Sequence, residues 1–232
     1  MGKVIVIGDI HGRTIWKDIV KQEFDLCIFL GDYVDSHYEI TAEEQEKNLL
    51  EILDFKENNP SKVILLRGNH DLRSLGYYWA ECSPSDPAVN KFMMPLRDRF
   101  LKDTQWIYIK DTIIFSHAGI SKVWMEHSGI QSIKYINNYL PTEIFGFTPE
   151  HRYDYSGYSD TQPPTWIRPQ NLIECNVEGY TQVVGHTPFA KIVCNEASNG
   201  EYIWFCDTLE DKYYLVIDNN IFTPIKYEST SI

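Results

Sequence analysis

The sequence predicts an α/β domain built on a parallel sheet with both faces covered, and three observations carry that prediction. The apolar runs Lys3 to Ile7, Leu26 to Leu30 and Val63 to Leu66 are continuous rather than alternating, the pattern of strands buried on both faces. Each run empties into a glycine-containing loop rich in Asp, His or Asn. Each loop leads toward a helical segment, and strands alternating with helices pair in parallel.

Taken in order, the first strand ends at Gly8-Asp9, and Thr14 to Phe24 has helical spacing with Ile15, Ile19 and Val20 on one face. The second strand ends at Gly31-Asp32. Ala42 to Phe55 reads as a helix, with Thr41 as N-cap and Glu44 at the capping-box position. The third strand ends at Arg67-Gly68-Asn69-His70-Asp71. Pro95 to Leu101 reads as a helix, Trp106 to Lys110 and Thr112 to Ser116 as two strands joined at Asp111, and residues 121 to 139 as largely helical. Residues 145 to 170 show no period and read as a long loop, the kind that serves as a lid or binding element. Five short strands follow, Gln182 to Val184, Lys191 to Cys194, Tyr202 to Cys206, Tyr213 to Ile217 and Ile221 to Ile225, with Asp218-Asn219-Asn220 as a hairpin turn between the last two. Neither a repeat nor a linker divides the chain, so residues 1–232 are expected to form one domain.

A net charge of −12, from 21 basic and 33 acidic residues, argues against a broad grip on nucleic acid. It leaves room for a small phosphorylated substrate, because bound cations reverse the local sign of a site. The five cysteines are widely spaced and form no CxxC pair, which fits a reducing, cytoplasmic setting. Met1-Gly2-Lys3-Val4 carries no signal-peptide pattern, and no apolar run reaches membrane-spanning length.

Five short segments carry the chemistry: Gly8-Asp9-Ile10-His11-Gly12, Gly31-Asp32-Tyr33-Val34-Asp35, Gly68-Asn69-His70-Asp71, His117-Ala118-Gly119 and Gly185-His186-Thr187-Pro188. They hold four of the seven histidines. Imidazole and carboxylate together favour Mn, Fe, Zn or Co over an all-oxygen cage. Asp9 and His11 are two apart, so an extended segment presents both on one side. Asp32 is a carboxylate able to bridge two ions, and functional groups gather at the carboxyl ends of parallel strands.

In this order the five segments resemble the calcineurin-like metallophosphoesterase superfamily, in the branch of phosphoprotein phosphatases and bacterial-type symmetrical diadenosine tetraphosphatases. The resemblance runs from Gly8 to about Thr208. It implies two mixed β-sheets sandwiched by helices (αββα) and two divalent or trivalent metal ions, Mn²⁺ foremost with Fe or Zn as alternatives. It implies that Asp9, His11 and Asp32 bind one ion, and that Asp32, Asn69, His117 and His186 bind the other. It further implies that His70, held by Asp35, is the general acid for the leaving oxygen while a hydroxide between the metals attacks phosphorus. Arg67 matches the family's LRGNH segment, and Trp166-Ile167-Arg168 resembles the bacterial branch's WxR segment, which makes Arg67 and Arg168 the expected phosphate ligands.

The chain departs from the pattern at three places. Ser36-His37 stands where GDxVDRG has Arg-Gly, so one phosphate-clamping arginine is missing; His37, Arg73 and Arg168 are the substitutes considered. Asp71 replaces a Glu, and Leu209 replaces the Gly of a DTG segment begun by Asp207-Thr208. Arg67 and Arg168 could instead serve structural or surface roles, and His37, His127 and His151 read as solvated surface residues. The aromatic stretch from Tyr153 to Trp166 either stacks a base or packs a loop. The expected activity is that of a phosphoesterase with serine/threonine phosphatase character. Its alternatives are a dinucleoside polyphosphate hydrolase, a non-catalytic module that docks a phosphorylated partner and, weakened by the acidic charge, an RNA-end phosphatase. A phosphorylated protein or a nucleotide is the expected partner, with no stable nucleic-acid or membrane association.

Overall fold

The computed structural model describes residues 2–77, 82, 83, 85–147, 154 and 156–228. Two sheets face each other. The first runs in the spatial order β11-β10-β1-β2-β3-β4 and the second in the order β5-β6-β7-β9-β8. In the first, β1 (Val4–Ile7), β2 (Leu26–Phe29), β3 (Val63–Leu66) and β4 (Thr104–Gln105) pair in parallel. The hairpin β10 (Tyr213–Asp218) and β11 (Ile221–Lys226) is added antiparallel against β1. In the second sheet, β6 (Ile113–Ser116), β7 (Thr181–Val184) and β9 (Tyr202–Phe205) are parallel. The edges β5 (Ile107–Lys110) and β8 (Val193–Glu196) are antiparallel to their neighbours. The parallel pairing expected from the strand and helix alternation thus holds for β1 to β4, within a sheet that the antiparallel hairpin makes mixed. The two mixed sheets implied by the resemblance are what forms.

The period of two sorts each buried strand between two cores. Val4 and Val6 of β1, with Leu26, Ile28 and Leu30, face the second sheet and meet Ile113, Phe115, Val183 and Leu215. Ile5, Ile7, Cys27 and Phe29 face the other way, onto Leu49, Ile52 and Leu53 of helix α2 (Ala42–Asn58). The capping box of α2 forms as expected: Glu44 N donates to Thr41 Oγ1 at 3.2 Å and Thr41 N to Glu44 Oε2 at 2.9 Å.

Four elements differ from expectation, each for a local reason. Helix α1 is confined to Trp16–Ile19, because the Asp25 and Leu26 amides are already committed to the Lys3 carbonyl and the chain must turn first. After α3 (Asn69–Ser74), helix α4 spans Pro87–Asp103 rather than starting at Pro95. Pro87 takes the first turn, Asp86 caps it through the Ala88 amide, and Pro95 lies on the exposed face of the helix. The 121 to 139 stretch divides into α5 (Lys122–Ser128) and a 3₁₀ segment (Ile133–Asn138), because Gly129 at φ 68° stops the helix. The stretch read as a loop begins in α6 (Pro141–Gly146) and ends at α7 (Pro169–Glu174). At the last hairpin, Asn219 and Asn220 both adopt positive φ, as a two-residue type I′ turn requires. Among the described residues, no helix is long and apolar enough to cross a membrane.

Candidate metal and phosphate site

All five motif loops leave the carboxyl ends of strands: Asp9 follows β1, Asp32 follows β2, Asn69 follows β3, His117 follows β6 and His186 follows β7. The facing of the two sheets therefore gathers residues 9 to 186 at one edge of the sandwich. His11, Asp32, Asp35 and His186 all have positive φ, between 43° and 67°. A non-glycine residue in that region is uncommon, and such strain concentrates where a side chain must be re-aimed for function. Close approach explains the glycines: a Cβ at position 68 would overlap the Asp32 carboxylate, and one at 185 the Asp9 carboxylate.

Three imidazoles are oriented by backbone carbonyls. His11 Nδ1 donates to Val34 O at 2.8 Å and Asp35 O at 3.1 Å, His117 Nδ1 to Leu30 O at 2.9 Å, and His186 Nε2 to Trp166 O at 3.2 Å. Each ring's second nitrogen then faces the carboxylate cluster, the arrangement that fixes a metal-ligating histidine. His11 Nε2 lies 3.9 Å and His117 Nε2 3.3 Å from Asp32 Oδ2. His117 Nε2 and His186 Nδ1 lie 2.8 and 2.9 Å from Asn69 Oδ1. The expected ligands form two of the four ligand-capable trios among the described residues, Asp9–His11–Asp32 and Asp32–His117–His186, the atoms within each lying within 4.8 Å of one another. Asp32 belongs to both. Beside them, His70 Nδ1 sits 3.4 Å from Asp35 Oδ2, which also accepts from Ser74 Oγ at 3.1 Å.

Residues 2–217 match a family model described as calcineurin-like phosphoesterase. The chain belongs to the calcineurin-like phosphoesterase family. Curated relatives include a putative serine/threonine-protein phosphatase of Schizosaccharomyces pombe, 32% identical over 51% of this chain and 39% of that protein. Another is a catalytic subunit of protein phosphatase 2A from Dictyostelium discoideum, 33% identical over 51% of this chain and 38% of that one. The chain spans less than half the length of these curated relatives. Among solved structures, a cold-active protein-tyrosine phosphatase of a psychrophilic Shewanella species shares the fold, with a TM-score of 0.63 at 18% identity over 97% of this chain and 77% of that one. A protein serine/threonine phosphatase of Saccharomyces cerevisiae does so with a TM-score of 0.54 at 17% identity over 99% and 82%.

The donor set fits the metal pair that a calcineurin-like phosphoesterase implies. Burial, then the nearby Asp207 and Asp32, push the Asp9 carboxyl well above its ordinary range, the mark of too many buried carboxylates for the cations present. Burial also pushes the Asp207 carboxyl up to about 6. Burial favours neutral His117, but Asp32 and Asp9 outweigh it and raise that imidazole to about 9. The site thus draws in a proton where it could hold a metal ion, and metal binding displaces such protons. His186 is held neutral by burial and by His117 and Arg168, so its Nδ1 lone pair faces Asn69 Oδ1 in the present amide orientation. Two acceptors at that distance are reconciled by a cation. Burial lowers His11 to about 3 against the pull of Asp32, which leaves it neutral and able to ligate.

A cavity of about 660 Å³ opens over these groups, lined by His11, Asp32, Asn69, His70, Trp166, Arg168 and His186 among others. Arg168 is in place; its Nη1 reaches Thr187 Oγ1 at 3.2 Å. Arg67 is not. Its guanidinium donates to Thr104 Oγ1 at 3.0 Å and to the Leu101 and Thr104 carbonyls at 2.7 Å each, and packs 4.9 Å from the Trp106 ring. Those partners hold it away from the described lining of the cavity. Asp71 accepts from the backbone amides of Asp32, Tyr33 and Gly68 at 2.8–2.9 Å, locking the second loop to the third. His37, exposed as expected, nevertheless lines the cavity, its ring 5.0 Å from that of His11. His127 is exposed, and His151 and Tyr153 lie outside the described residues. Trp166 is buried against His186, so it packs the wall. Lining residues to which the sequence assigned no role include Arg13, Tyr38, Cys82, Asp207, Glu210 and Asp211. Asp207 was findable, because it follows β9 just as the motif residues follow their strands.

Proposed function

We propose that this protein is a metal-dependent phosphomonoesterase of the serine/threonine phosphatase kind, acting in the cytoplasm on phosphorylated protein, with residues 1–232 as one catalytic domain. The observation that supports it most is the pair of ligand trios sharing Asp32, next to a histidine held by a carboxylate. Asp9, His11 and Asp32 would hold one ion, and Asp32, Asn69, His117 and His186 the other, with Mn²⁺ preferred and Fe or Zn compatible with the same donors. Such ions, when bound, make water nucleophilic near neutral pH and offset charge on the phosphoryl oxygens.

The side chains do the rest. His70 turns Nδ1 toward Asp35, and Nε2 is the nitrogen that would serve the leaving oxygen, with Cys82 close beside the ring. Burial disfavours its charge, but Asp32, the Asp35 hydrogen bond and Cys82 override that and raise the imidazolium above its ordinary range, which favours a protonated His70. As the bond from phosphorus to the leaving oxygen breaks, that oxygen takes the Nε2 proton while a water oxygen forms the new bond to phosphorus. Arg168 neutralises a phosphoryl oxygen. Glu210 and Asp211 on the cavity wall repel a long polyphosphate, which favours a single phosphoryl group over a dinucleoside polyphosphate. The five cysteines are free, in keeping with a reducing compartment.

The test is turnover by protein stripped with chelator and reloaded with Mn²⁺, offered p-nitrophenyl phosphate, phosphoserine peptides and diadenosine tetraphosphate. Hydrolysis of the first two, lost in His70→Asn, is expected. Inertness toward every phosphoester would overturn the proposal, and cleavage of the dinucleotide alone would redirect it.

A further inference from the structure

We propose, building on the phosphoesterase reading, that Arg13 is a second substrate-phosphate-binding residue and that Glu210 holds its guanidinium in waiting. Among the described residues lining the cavity, Arg13 and Arg168 are the only arginines or lysines, against the carboxylates of Asp32, Asp207, Glu210 and Asp211. Beyond the metal ions and His70, these two are the side chains there that can offset the charge of an entering phosphate dianion. Position 36, beside the site, is a serine and brings no charge.

Arg13 is placed by a tight turn. Its amide donates to the Ile10 carbonyl at 2.9 Å, with Gly12 at φ 78°, and the side chain folds back over the loop that carries Asp9 and His11. The guanidinium carbon lies 5.2 Å from the Tyr38 ring centre, which holds the plane over the cavity wall. Its polar contacts are all long: Nη1 lies 3.4 Å from the Asp9 and Ile10 carbonyls, and Nη2 lies 3.8 Å from Glu210 Oε2. Charge-assisted bonds of a committed arginine measure about 2.7–2.9 Å. Arg67 shows such lengths in the same protein, at 2.7 Å to two carbonyls. Arg13 is therefore positioned but unsaturated, with most of its five N–H donors available. The Glu210 side chain is 59% exposed, so its hold is weak and a doubly charged oxyanion outcompetes it.

The test measures inorganic phosphate binding by calorimetry on metal-replete protein, together with kcat and KM for p-nitrophenyl phosphate, in wild type, Arg13→Ala, Arg13→Gln, Glu210→Gln and the Arg13→Ala/Glu210→Gln double variant. Loss of Arg13 should weaken phosphate binding and raise KM on the order of ten-fold, the worth of one charge-assisted bond. Glu210→Gln should tighten phosphate binding about two- to three-fold, the scale of an exposed ion pair, and should do distinctly less in the Arg13→Ala background, where only relief of its repulsion toward phosphate remains. Phosphate affinity unchanged within two-fold in folded Arg13→Ala and Arg13→Gln would overturn the proposal. If neither variant folds, Glu210→Gln decides: unaltered phosphate affinity there overturns it. Wild-type protein that binds phosphate through Arg13 yet cleaves no phosphoester would sink the phosphoesterase reading and leave this one standing.

Discussion

Asp71 is fully buried and is not among the expected metal ligands, yet its carboxylate carries the geometry of the site. Oδ2 accepts from Asp32 N and Gly68 N and Oδ1 from Tyr33 N, all at 2.8–2.9 Å. Asp71→Ala leaves three buried amides without partners, each costing roughly 1–3 kcal/mol. A smaller effect opposes this. Burial, and then repulsion from Asp32, raise the Asp71 carboxyl to about 7, and its removal relieves that repulsion. The expected net loss is about 3–5 kcal/mol, or roughly 6–20 °C in Tm for a chain of this size. Asp71→Asn can keep two neutral bonds from the Oδ2 position and orphans only the Tyr33 amide, so about 2–3 kcal/mol should go. Guanidinium unfolding at pH 7.5 with an unchanged m value reads both numbers. A loss below about 1 kcal/mol for Asp71→Ala would refute the claim that this carboxylate ties the second loop to the third.

Three further outcomes follow from the same geometry. Asp35→Asn removes a charge that holds the His70 proton, so the alkaline limb of the kcat profile of the metal-loaded enzyme should move to lower pH by about one unit or more; an unmoved limb in stopped assays would exclude the pair. Asp32→Asn should abolish binding of both ions while His117→Ala loses one, as read by metal analysis after gel filtration, and each ion still bound should add about 2.7 kcal/mol of stability at a Mn²⁺ concentration a hundred-fold over its Kd, with no gain in Asp32→Asn. Arg67→Ala should lose about 2–4 kcal/mol of stability through its severed carbonyl bonds and keep kcat/KM within about two-fold; a large fall in activity with stability intact would restore a substrate role.

The sequence by itself determined which atoms could do chemistry and where the chain would present them. Asp9, Asp32, Asn69, His117 and His186 were legible because an apolar run followed by glycine and a polar residue is a local pattern, and strand ends in α/β folds collect such residues. The capping box at Thr41 and the Asn219-Asn220 turn were legible for the same reason: each depends on neighbours three or fewer positions away. The long arginines were not. Arg67 and Arg13 both stand beside motif segments, but Arg67 is claimed by carbonyls 34 and 37 positions along the chain, and Arg13 is left facing the cavity with only distant contacts. The tautomer of each ligand histidine was likewise decided by a remote carbonyl, such as Leu30 for His117, 87 positions away. A flexible side chain takes its direction from whatever partner packing brings within reach, and that partner belongs to the tertiary fold.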